Sequence, residues 1–306
     1  MQFALRYNGD DGAQCPPYRV WIQKGWSTMA SKANDSYLKI YSPEKGLFHA
    51  LAKSPGLGGD AWCHLICGRD RALLVDTGFG IGDLKAIVER VTDLPITVVN
   101  THFHGDHVRG NPQFERVFIH AMDADGLHPD AAVHFTIPPE GTFYTAADLV
   151  PAQPYEVVTV EEGHVFDLGG GYEVEVFHLP GHSPGGIGLL DRKRRLLFSG
   201  DAIVRTPTYI FGHLPQGPHS AWCTVEAFRD KLLVLQRRKG EIDALYPGHS
   251  DLGISPAIID DMVACCEDLL RDPTRYDEML DAAGRMVTVR IHGAAQIAFS
   301  RERIRA

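Results

Sequence analysis

Short apolar runs separated by Pro and Gly dominate the first 80 residues and predict strands over 19–23, 37–41, 47–52, 61–67 and 72–76, with a glycine-rich hairpin or loop at 55–60. The pattern then changes period. Over 83–91, Leu84, Ile87 and Val88 fall on one face of a helix, and Pro95 opens an apolar run, 96–100, that reads as a buried strand. Strand signals return at 117–120. The stretch 121–154 is irregular: Pro129, Pro138, Pro139 and Gly141 stand beside Phe135, Phe143 and Tyr144, the mark of a partly ordered excursion. Beyond it, strands are predicted at 155–160, 165–168, 172–179, 186–190 and 195–199, with the charges of 191–194 solvating a turn. Helical spacing covers 221–238 and 256–271, a short strand lies between them at 244–246, and 286–300 alternates around Gly293 as a closing hairpin.

Composition alters this picture little. The 306 residues are 44% apolar and carry no repeat, which fits an ordinary globular chain. We read residues 1–306 as one domain, with irregular insertions about 121–154 and 202–220 and a C-terminal helix plus hairpin about 256–300. Acids outnumber bases 39 to 30, for a formal charge of −9, which argues against nucleic acid as a partner. The six cysteines show no pairing framework and read as reduced thiols. Residues 1–18 lack a basic start followed by an apolar core. No apolar run reaches the roughly 20 residues that span a bilayer. A soluble, cytoplasmic protein without membrane attachment is expected, with a homodimer left open.

The chemistry concentrates at strand ends. Thr101-His102-Phe103-His104-Gly105-Asp106-His107 follows the strand at 96–100; His182 follows the strand at 172–179; Asp201 follows that at 195–199; and His249 follows that at 244–246. A glycine precedes each of the last three and permits a sharp turn. Five imidazoles and two carboxylates without a thiolate suit zinc first, and manganese or iron otherwise. Seven ligands are too many for one catalytic ion with an open position. Two ions fit better, one held by His102, His104 and His182, the other by Asp106, His107 and His249, with Asp201 bridging.

The order His-x-His-x-Asp-His, Gly-His-Ser-Pro-Gly, Ser-Gly-Asp and Pro-Gly-His, with Asp76-Thr77-Gly78 after an early strand, resembles the metallo-β-lactamase superfamily over about residues 62–250. The resemblance implies an α/β fold, an αββα sandwich of two mixed sheets flanked by helices, with metals at one edge. It also implies that Asp76 hydrogen-bonds backbone or a ligand near the site rather than binding a metal itself. The histidines outside the motifs, among them His49, His64, His120 and His178, read as packing or surface residues.

A dinuclear metal-dependent hydrolase follows, using a metal-bridging hydroxide to cleave an ester, lactone or thioester of a small molecule. Asp106 would bind the second ion and orient the hydroxide. Asp201 in Ser-Gly-Asp resembles the glyoxalase II-like and lactonase-like hydrolases rather than true β-lactamases, although Gly-His249-Ser250-Asp251 departs from the usual glyoxalase II pattern. Lactonases of this type place a substrate-contacting tyrosine after the bridging aspartate. Here the nearest phenol, Tyr209, is the candidate catalytic or substrate-contacting side chain, and 205–220 with Phe143 and Tyr144 would supply an apolar pocket wall. A phosphodiesterase or nuclease of the same superfamily, or a diiron redox protein, is the alternative. The acidic balance argues against the former, and His104 with the lack of a flavin domain against the latter.

Overall fold

The computed structural model describes residues 38–44, 46–54, 59–128, 144–145, 148–212, 217–282 and 284–306. The strand predicted at 19–23, Cys15 and most of the excursion, including Phe135, Pro138, Pro139 and Phe143, lie outside these residues. Seven strands form the first sheet in chain order: β1 (Leu38–Glu44), β2 (Leu47–Ala52), β3 (Ala61–Cys67), β4 (Ala72–Val75), β5 (Ile96–Val99), β6 (Arg116–His120) and β7 (Glu156–Val160). The first four pair antiparallel and the last four parallel, so the sheet is mixed. Helix α1 (Leu84–Val91) makes the β4–β5 crossover, its N-terminus capped by Asp83, which accepts the Ala86 N–H at 2.8 Å.

The second sheet has five strands, β8 (Val165–Asp167), β9 (Glu173–His178), β10 (Ile187–Asp191), β11 (Leu196–Gly200) and β13 (Ala244–Pro247), in the order β13-β11-β10-β9-β8. It is also mixed, because β11 and β13 pair in parallel. Helices α3 (Val225–Arg237) and α4 (Ile258–Arg271) cover its outer side. A four-residue helix, α2 (Gly105–Val108), lies in the loop after β5.

Side-chain alternation assigns the layers. Neighbouring residues on one strand face opposite ways. Ile66, Leu73 and Val99 meet Val176, Leu189 and Phe198 between the sheets, whereas Leu65, Leu74 and Val98 face Leu84, Ile87 and Val88 of α1. On the far side Phe177, Leu190 and Leu197 pack against Phe228, Leu232 and Leu235 of α3 and Met262 and Cys266 of α4. Strands β4, β10 and β11 are buried along their whole length, since both of their faces are covered.

A third sheet was not expected. Strands β12 (Thr208–Ile210), β16 (Ala295–Phe299), β15 (Arg285–His292) and β14 (Glu278–Ala282) lie side by side in that order. The predicted hairpin is its β15–β16 core, and Ala295, Ile297 and Phe299 pack on the α3/α4 layer. Two readings change as a result. The stretch 202–220 holds a strand, β12, and Tyr144 is buried among the side chains of the α1 layer rather than on a pocket wall. Cys63, Cys67, Cys223, Cys265 and Cys266 are free thiols.

Candidate metal centre

Asp76 follows β4 in the left-handed region, at φ 62°, where an L-residue stands at some cost. Its N–H still donates to the Val99 carbonyl at 2.9 Å, so the turn directs the carboxylate across the end of β5. There it accepts three bonds: from the Thr101 N–H at 2.7 Å, the Thr101 hydroxyl at 2.8 Å and Nδ1–H of His107 at 2.8 Å. A buried carboxylate thereby holds His107 and the start of the loop that carries His102 and His104.

Three further histidines are fixed in the same manner. A main-chain carbonyl only accepts, so Nδ1 of His182 donates to Tyr209 O at 2.9 Å and Nδ1 of His249 donates to Asp60 O at 2.8 Å. The Thr101 hydroxyl donates its hydrogen bond to Asp76, so its oxygen accepts from Nδ1 of His102 at 3.1 Å. Four outer nitrogens are thus committed, and in the neutral rings the four Nε2 lone pairs face inward.

The inward atoms converge. Nδ1 of His104 lies 2.9 Å from Nε2 of His182, and Nε2 of His107 lies 3.3 Å from Nε2 of His249. The Asp201 carboxylate sits between these pairs, 3.6 Å from His182 and 4.0 Å from His102 on one side, and 3.4 Å from both His107 and His249 on the other. Asp106 stands 3.2 Å from His249 and 3.7 Å from His107. The structure therefore gathers His102, His104 and His182 in one group and Asp106, His107 and His249 in a second. His102, His107 and Asp201 form a third that overlaps both, each with its candidate ligand atoms within 4.8 Å.

This arrangement fits a cation. Nε2 of His102 and Oδ1 of Asp201 are buried without a hydrogen-bond partner, a costly state that a bound ion would relieve. Nitrogens about 2.0–2.1 Å from a tetrahedral zinc ion stand about 3.3 Å from one another, close to the separations found. Gly248 is required by the same crowding, because a Cβ there would lie 2.5 Å from Oδ1 of Asp201 and 2.7 Å from the His107 ring. Burial, reinforced by neighbouring imidazoles, pushes His102 and His104 toward the neutral form, His104 down to about 3. Against the same burial, Asp201 pulls His107 well up and His249 to about 10. Asp201 and Asp106 stay below the usual carboxylate range despite burial, Asp201 through the charges of His107 and His249, Asp106 through its bond to His249. In the ion-free protein the second group holds protons that a cation would displace.

Tyr209, the candidate catalytic side chain, adjoins the first group through its main chain. It belongs to β12, its half-exposed ring packs edge-on against Phe211 at 5.4 Å, and its carbonyl, not its phenol, is the group bonded to His182. Sequence reasoning also missed what holds the His249 turn. Trp62 donates from its main chain to Gly248 O (2.7 Å) and from its indole to Ser250 O (2.8 Å), and His64 donates from Nε2 to Pro247 O (3.1 Å). His64, read as packing, is buried against His49, their Nδ1 atoms 2.7 Å apart. A groove of about 950 Å³ opens at the other end of the sheet, lined by Arg71, Lys85, Ile96 and Arg116 among others, and shares no residue with the centre.

Residues 56–249 match the model of the metallo-beta-lactamase superfamily. The chain belongs to that superfamily. It is 28% identical over 227 residues to the acyl-coenzyme A thioesterase MBLAC2 of Bos taurus, an overlap covering 67% of this chain and 78% of that protein. It is 27% identical over 147 residues to the hydroxyacylglutathione hydrolase GloC of Haemophilus influenzae, covering 47% of this chain and 66% of that one. The crystal structure of the metallo-beta-lactamase family protein TTHA1429 from Thermus thermophilus superposes with a TM-score of 0.52 over 75% of this chain and 82% of that one, at 22% identity. That likeness concerns the fold, and the αββα arrangement of two mixed sheets expected from sequence stands.

Proposed function

We propose that the protein is a dinuclear metal hydrolase acting on the thioester of a small acyl group and a carrier thiol. The observation that carries this reading is Asp201, a carboxylate within 4.0 Å of two histidines of each group, with the outer nitrogens of all four rings already committed. His102, His104 and His182 would hold one divalent ion, Asp106, His107 and His249 the other, and Asp201 would touch both; zinc suits this donor set first, then manganese or iron. Such a pair, when bound, supplies a water that ionises near neutral pH and polarises the acyl oxygen.

The remaining work falls to the chain. Asp106 is the more open of the two carboxylates, its side chain 29% exposed against 13% for Asp201, so it can both ligate and orient a proton of the attacking water. A departing thiol has a pKa near about 8.5 and leaves as the anion without being protonated. That suits a centre at which, among the described residues, every converging acid or base is also a candidate ligand. The names of the two relatives support the same bond, since coenzyme A and glutathione both carry acyl groups on sulfur.

The test is a panel of acyl-coenzyme A, hydroxyacyl-glutathione, lactones, aryl esters, β-lactams and phosphodiesters, assayed with the zinc-loaded protein. Fastest turnover of a thioester, read as release of free thiol, is the expected result. Turnover of phosphodiesters alone would overturn it.

A further inference from the structure

A carboxylate outside both groups ties together the two loops that form the first of them. Asp123 lies in the 3₁₀ turn Ala121–Gly126 after β6 and is 1% exposed. Its Oδ2 accepts the Ser183 hydroxyl at 2.7 Å and the Phe103 N–H at 3.3 Å, and its Oδ1 accepts the Gly185 N–H at 2.6 Å. Phe103 separates His102 from His104, and Ser183 follows His182. The roots of the loops are joined by Ile187 N–H donating to Thr101 O at 2.8 Å, and Asp123 joins them nearer the histidines. The fit is close: a Cβ on Gly185 would lie 2.8 Å from the Asp123 carboxyl.

We propose that Asp123 is a positioning residue that sets the separation of His102, His104 and His182 for their ion, a role that rests on the two-ion reading above. Three donors converge on it, and only an ionised carboxylate accepts from all three; an asparagine would turn its NH₂ toward at least one of them. Burial raises the Asp123 carboxyl to about 6, and the bonds from Ser183, Gly185 and Phe103 only partly counter this. A raised folded-state value means that the folded protein favours the protonated form, so at neutral pH the ionised group works against folding. A buried carboxylate whose bonds run to both ligand loops is placed to set the spacing of the histidines that those loops carry.

The test is zinc titration of the metal-stripped full-length chain against a competing chromophoric chelator, with thermal unfolding at neutral pH alongside. Wild type is expected to take up two ions. Asp123→Asn is expected to weaken one of them about 10- to 100-fold and to leave the other unchanged. Ser183→Ala, which removes one donor and leaves the carboxylate, should weaken the same ion less. The site is assigned by background: the Asp123→Asn effect should persist in His249→Ala and vanish in His182→Ala. Unchanged affinity for both ions in Asp123→Asn, or equal weakening of both with a lower midpoint, overturns the proposal while leaving the two-ion reading intact. Wild type that binds no zinc overturns the two-ion reading itself.

Discussion

Asp76 and Tyr209 show how much of this centre depends on atoms that never face it. Asp76 gives one oxygen to the Thr101 N–H and the other to both the Thr101 hydroxyl and Nδ1 of His107. Asp76→Ala leaves His107 free to rotate and should lower zinc affinity by about 10- to 100-fold, measured by competition with a chelator; wild-type affinity in that variant would refute the orienting role. Tyr209 contributes a carbonyl to His182. Tyr209→Phe should therefore retain both ions in a metal assay, with any loss confined to turnover, and release of an ion would contradict the assignment. The seven converging residues were legible because their side chains carry the chemistry and follow strands in a recognisable order. The carbonyls of Asp60 and Tyr209 were not, since every residue has one and only the tertiary fold selects which is used. Asp123 was hidden for a related reason: its three donors lie 20 to 62 positions away along the chain.

Strands buried on both faces were readable, and most edge strands of the two main sheets were too, whereas β12 and β14 of the third sheet were not. β4, β10 and β11 announce themselves as apolar runs because both faces are covered. β14 reads Glu-Met-Leu-Asp-Ala and is mostly exposed, while the three residues of β12 take their shape from pairing with β16, 89 positions on. Boundaries moved for local reasons. The helix predicted from 221 begins at Val225, because Ser220–Trp222 forms a 3₁₀ turn and Thr224 caps the Ala227 N–H at 3.2 Å. Among the elements, β3 matters most to the site beyond those that supply ligands, since Trp62 holds Gly248 and Ser250 on either side of His249, and Ser250 itself stands at φ 64°. Trp62→Phe removes the indole bond and should cost about 1 kcal/mol in denaturant unfolding and weaken the ion of Asp106, His107 and His249. Unaltered affinity for both ions would mean that the turn keeps its shape without the indole.

At the scale of the molecule, two mixed sheets pressed face to face bring the C-terminal ends of β4, β5, β9, β11 and β13 to one edge, and Asp76, the His102–His107 loop, His182, Asp201 and His249 follow those ends in that order. No helix among the described residues is long and apolar enough to cross a membrane. The third sheet lies beyond the predicted sandwich, packed on the α3/α4 layer, and reaches the centre through the carbonyl of Tyr209. Because Nε2 of His102 and Oδ1 of Asp201 are buried without a hydrogen-bond partner, metal binding should stabilise the whole chain. Stripping with a chelator should lower the midpoint of thermal unfolding and zinc should restore it, while far-ultraviolet circular dichroism changes little. An unchanged midpoint would contradict occupancy of the centre.

The most direct measurement is the metal content per chain of wild type and Asp201→Ala, taken together with thioester turnover by the same preparations. Two ions and turnover in wild type, with fewer ions and no turnover in the variant, is the predicted result. A variant that keeps both ions and hydrolyses the thioester as wild type does would contradict the bridging carboxylate, and fewer than two ions in wild type would contradict the two-ion hydrolase.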